Sequence, residues 1–138
     1  MIPERCRPFS HAPTEGKGEV PLRLAFEKAG YRITTRQIPT ELVDSKGREI
    51  VAYPDLCVAL RNGYVIPIFD DGPIHMEPKR IDYDLFIAEA LHALGFKVIR
   101  FKHAKPMSPR RATTAVKVFR RILVETLRPE YVSLDGEP

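Results

Sequence analysis

The chain is short of sulfur, nearly free of acid along most of its last third, and without any long apolar run. Its 138 residues hold two cysteines, Cys6 and Cys57, so neither a disulfide framework nor a four-thiolate zinc site can be assembled. Cys6 with His11 would supply two metal ligands, too few for a structural site. Nothing approaches the roughly 18 consecutive apolar residues of a membrane span, and the opening "MIPERCRPFSHAP" lacks the apolar segment of a secretory signal. The expectation is a cytoplasmic, intracellular protein with no membrane partner.

What is present fits one globular domain, long enough for a core and too short for two. Between Phe96 and Arg128 stand ten basic residues against one acid, Glu125, so this segment is +9 and the remainder −5 in a chain of net charge +4. A basic end on a mildly acidic body points to a polyanion partner. The plainer alternative is a solvated helix surface.

Residues 1–13, rich in proline and without periodicity, predict an extended arm ahead of a single domain over 14–128. "EVPLRLAFEKA" sets Leu22, Ala25, Phe26 and Ala29 at helical spacing and stops at Gly30. "YRITTRQI", then Ile50 to Leu60, then Tyr64 to Asp70 predict three strands able to pair as a meander. "IDYDLFIAEALHAL" predicts a second helix ending at Gly95, and "FKVIRF" a further strand. A last helix opens with Ser108 as cap and Pro109 in its first turn, burying Ala112, Ala115, Val116, Phe119 and Ile122 and turning Arg110, Lys117 and Arg121 outward. Residues 129–138 predict a frayed tail. The expected fold is a mixed α/β sheet with helices packed on it.

The stretch "YPDLCVALRNGYVIPIFDDGPIH", Tyr53 to His75, reads as an apolar hairpin carrying acids, which is costly unless something compensates them. A two-residue turn at Asn62-Gly63 would pair Arg61 with Tyr64 and set Asp55 opposite Asp70, their Cβ atoms about 4.5–5.5 Å apart. Two carboxylates at that spacing repel unless a proton or cation lies between them, and a hard divalent ion such as Mg²⁺ is the simplest compensation. A three-residue loop or a bulge would change the parity and bring Asp71 to Asp55 instead. His75, beyond a Gly-Pro bend, is placed to give or take a proton at neutral pH. Glu19 and Asp84 fall on the inward stripes of their helices, although an acid near a helix N-terminus more often complements the dipole.

Glu19, "PD" at Pro54-Asp55, "IFDDGPIH" ending at His75, and Asp84 eleven residues before "GFKVIRF" together resemble the very-short-patch repair endonucleases. They also resemble the homing endonucleases named for a Glu, Asp, His and Asp pattern, within the wider PD-(D/E)xK nuclease superfamily. The resemblance spans roughly residues 19–102 and implies a restriction-endonuclease-like core of helix, three strands, helix and strand, here with a C-terminal basic helix. It implies a Mg²⁺-dependent DNA endonuclease, with Mn²⁺ as a substitute metal. Asp55 would be the first metal carboxylate, Asp70 or Asp71 would lie at the second metal position, His75 would transfer protons, and Glu19 and Asp84 would flank. Arg110, Arg111, Lys117, Arg120 and Arg121 would hold the DNA backbone, which implies a nucleoid-associated location.

The departures are specific. The superfamily lysine expected two positions after the second acid is Gly72, the repair enzymes' cysteine and tryptophan before the histidine are replaced by "PI", and the chain has no tryptophan at all. Mismatch specificity is therefore not implied. Two other classes stand beside the nuclease: a catalytically silent nucleic-acid-binding or assembly module on the same fold, and a protein–protein adaptor. A homodimer is compatible with the sequence.

Overall fold

The computed structural model describes residues 19–72, 78–122 and 129–135. Three helices, α1 (Glu19–Lys28), α2 (Pro78–Ala93) and α3 (Pro109–Ile122), surround seven strands: β1 (Arg32–Thr34), β2 (Ile38–Val43), β3 (Glu49–Ala52), β4 (Leu56–Ala59), β5 (Val65–Asp71), β6 (Ile99–Lys102) and β7 (Glu130–Ser133). Five of them form one mixed sheet in the order β1-β4-β5-β6-β7, with the first two pairings antiparallel and the last two parallel, while β2 and β3 make a separate hairpin. The fold is thus mixed α/β, as expected.

The two faces of the sheet are covered by different partners because alternate strand residues point to opposite sides. Leu56, Val58, Ile66, Ile68, Ile99 and Phe101 meet Leu22 and Phe26 of α1 and Ala112, Ala115 and Phe119 of α3. Phe26, Tyr31 and Phe119 interlock edge to face, with centroids 5.0–5.8 Å apart. On the other face Phe69 and Val98 pack under Ile87, Ala88 and Leu91 of α2 and against Ile38 and Ala52 of the β2–β3 hairpin. The Ser108 hydroxyl accepts the Arg111 N–H at 3.1 Å, the N-cap read from the sequence.

Three expectations are corrected. The runs over 31–38 and 50–60 are not continuous strands: irregular stretches at Thr35–Gln37 and Tyr53–Asp55 interrupt them, and β2 and β3 form their own hairpin. Residues 130–134 are not a frayed tail, since Glu130–Ser133 pairs in parallel with β6 and Leu134 is buried. The β4–β5 connection is a three-residue loop, closed by Leu60 N–H to the Tyr64 carbonyl at 2.8 Å and Gly63 N–H to the Leu60 carbonyl at 2.9 Å. Gly63, at φ 85°, supplies the left-handed residue that such a loop requires. Pro67 is tolerated in a central strand because the parallel ladder with β6 begins one residue later, at Ile68.

Candidate functional site

The loop length decides where the acids go. Ala59 pairs with Val65 and Leu56 with Ile68, one residue away from the register that would oppose Asp55 and Asp70. A one-residue change reverses which side chains share a face. Asp70 therefore points to the α1/α3 side and Asp71 to the α2 side, and the expected Asp55–Asp70 carboxylate pair does not exist. The Asp55 side chain does reach β5, but as an acceptor: its Oδ2 takes the Asp70 backbone N–H at 2.5 Å. Asp55 thus fastens the start of β4 to the end of β5.

On the α2 side, Asp71 is fully buried and faces Arg100 of β6, whose Nη1 donates to Oδ1 and Oδ2 at 2.8 and 3.1 Å. The same Nη1 lies 3.7 Å from Asp84 Oδ1 on α2. The guanidinium also rests on the Phe69 ring, its central carbon 3.9 Å from the centroid. One arginine therefore compensates two acids that the sequence reading left to a metal or to a helix dipole. Burying charge is tolerable only with such pairing. Nothing in local sequence signals it, because Asp71 and Arg100 are 29 residues apart and meet only through the parallel β5–β6 register.

On the other side, Asp70 Oδ1 meets His103 Nε2, while His103 Nδ1 meets the Lys105 carbonyl oxygen. Both ring nitrogens face oxygen acceptors, an arrangement that favours the doubly protonated imidazole. The Asp70 carboxylate accordingly raises the His103 pKa above its ordinary value, burial opposes this, and the Lys105 carbonyl assists. His103, buried to 3% exposure, is a residue the sequence reading missed. Its only sequence sign is its position, one residue past the basic strand β6.

Asp55 and Asp84 nevertheless share a cavity of about 220 Å³, walled by Tyr53, Phe69, Tyr83 and Arg100. It lies where β5 and β6 end, the region in which sheets with parallel strands usually take ligands. Among the described residues no cluster of three or more His, Cys, Asp or Glu side chains is placed to hold a metal. Asp55 and Asp84 do suit a magnesium ion, which commonly takes one or two carboxylates and fills its remaining positions with water and substrate phosphate. Asp70 and Asp71 do not line the cavity and do not add to that set. His75 lies outside the described residues, as does the side chain of Glu19, whose backbone opens α1.

Arg110, Lys117, Arg120 and Arg121 are exposed on α3, whereas Arg111 is half-buried and donates to the Pro106 carbonyl at 3.5 Å. These residues lie across the sheet from the cavity, since α3 packs on the face opposite α2. No helix among the described residues is long and apolar enough to cross a membrane. No protein-family model, curated protein or solved structure matches the chain.

Proposed function

We propose that this chain is a metal-dependent DNA endonuclease with a restriction-endonuclease-like core, and that Asp55 is its central acid. The observation that carries the reading is the cavity on the α2 side of the sheet that Asp55 and Asp84 both line. Asp55 and Asp84 would hold Mg²⁺ or Mn²⁺, which when bound polarises the scissile phosphate and offsets charge on the leaving oxygen. Asp55 is preorganised for this by its bond to the Asp70 amide, which fixes the carboxylate against the end of β5. Arg100 keeps Asp71 and Asp84 from repelling each other and sets how much negative charge the cavity presents. His75, by the resemblance, moves the proton. The α3 cations would hold the phosphate backbone without reading sequence. Arg110 and Arg111 stand at the helix end that follows the β6 terminus, so a duplex lying over α3 approaches the carboxylate end of the sheet from that side.

A second function, a silent nucleic-acid-binding module on the same fold, is favoured by one specific feature: the Arg100 guanidinium already sits among the carboxylates as a resident cation. Supercoiled plasmid incubated with Mg²⁺ or Mn²⁺, with and without chelator, separates the two. Chelator-sensitive nicking that Asp55→Ala abolishes is the expected result. Salt-sensitive binding with no nick at any metal concentration would leave only the silent module.

A further inference from the structure

At the opposite end of the sheet, the α1–β1 turn and the β4–β5 loop frame a second cavity of about 550 Å³, lined by Gly30, Tyr31, Arg32, Leu60, Arg61 and Gly63 among others. Its charge is of one sign, with two arginines and no acid in its lining. Arg32 pairs with Ala59 across the β1–β4 ladder, and Arg61 stands two residues past Ala59, at the start of the β4–β5 loop. Both are exposed, and neither has an ion-pair partner among the described residues. Two like charges lining one cavity repel, and an anion between them relieves that repulsion.

The rest of the frame suits such an anion. Gly30 and Gly63 take φ of 94° and 85°, so the chain reverses sharply on both sides and leaves the space between open. A third cation, Arg120 of α3, reaches the α1–β1 turn beside the cavity without lining it: its Nη2 donates to the Ala29 carbonyl at 3.5 Å and its guanidinium carbon stands 6.0 Å from the Tyr31 ring centroid. Two planar guanidinium forks in one lining, from β1 and from the β4–β5 loop, match a tetrahedral oxyanion, which accepts several N–H bonds at once.

We propose that this cavity is a phosphoryl-binding site built from Arg32 and Arg61, separate from the carboxylate cavity. Its ligand is a phosphate group, carried either by a nucleic-acid strand or by a free nucleotide. The strand would arrive along α3, whose exposed cations run about 15 Å from Arg110 to Arg120 at 1.5 Å per residue.

The test is an NMR titration of the full chain, following the arginine side-chain Nε–Hε signals, with inorganic phosphate, a mononucleotide and a short single-stranded DNA in separate arms. Shifts at Arg32 and Arg61 with all three ligands assign the site to free phosphoryl compounds; shifts with the oligonucleotide alone assign it to the backbone. The R32Q/R61Q variant, changed only at exposed positions, should weaken binding at least tenfold. In the backbone case it should also flatten the plot of log affinity against log salt by about 1.4, for two lost contacts to a single strand. Silence of both signals in every arm, or undiminished affinity in the double variant, overturns the proposal. The readout is binding alone, so this site fails or stands independently of the nuclease reading, which nicking decides.

Discussion

Arg100 and Asp71, on adjacent parallel strands, form an ion pair from which solvent is excluded, the arginine 2% and the aspartate 1% exposed along their side chains. Such a pair contributes little net stability compared with well-packed apolar residues, but breaking it leaves a buried charge without its partner. Arg100→Met should therefore destabilise the fold by about 3–5 kcal/mol. The double variant Arg100→Met/Asp71→Leu should recover most of that loss. Urea unfolding of both variants measures the difference, and equal losses would mean that the pairing does not set the cost.

The Asp70–His103 pair predicts a pH dependence of definite sign. Its folded-state pKa is raised above the 6.5 of a free imidazole, so its contribution is complete below that value and disappears as pH climbs through the raised one. His103→Gln should then cost more stability at about pH 5.5 than at about pH 8.5. The difference between wild type and variant isolates this ring from the other histidines. A constant difference across that range would show that the ring is not cationic in the native state.

Asp55 separates structure from chemistry. Asp55→Asn keeps an oxygen for the Asp70 amide, whereas Asp55→Ala leaves that partly buried donor unpaired, at a cost of about 1–3 kcal/mol. Both should lose Mg²⁺-dependent nicking, because neither retains the carboxylate charge. Thermal unfolding alongside the plasmid assay would show the asparagine variant stable but inactive. Full activity in the asparagine variant would remove Asp55 from the site.

Much of this arrangement was legible wherever a local pattern carried it. The Ser108–Pro109 start of α3 and its buried stripe follow from capping chemistry and 3.6-residue periodicity. The α2 stop at Gly95, at φ 95°, is likewise a local necessity. The hairpin around Gly63 was legible too, but not its length, because an Asn-Gly pair serves a two-residue turn and the end of a three-residue loop equally well. That one residue decided the site: it sent Asp70 to His103 and Asp71 to Arg100, pairings across 33 and 29 residues that no local window contains.

The clearest illegible element is β7, and it supplies a direct test. "EYVS" alternates half-buried and exposed positions over only four residues, too short a run to stand out beside a proline. Its anchorage lies instead in distant contacts. Glu130 meets Lys97 Nζ at 3.2 Å, the Leu134 N–H bonds the Lys102 carbonyl at 2.8 Å, and the Leu134 side chain joins the core beneath α3 at 3% exposure. If the segment were a frayed tail, Leu134→Ala would change stability negligibly. As a strand whose end is seated in the core, the same substitution should cost about 2–5 kcal/mol through lost apolar burial and the cavity it leaves. Urea midpoints should fall with an unchanged slope, because the variant unfolds from the same native surface. Amide exchange provides an independent check: the Leu134 amide should be protected as long as those of β6, since the two ladders open together.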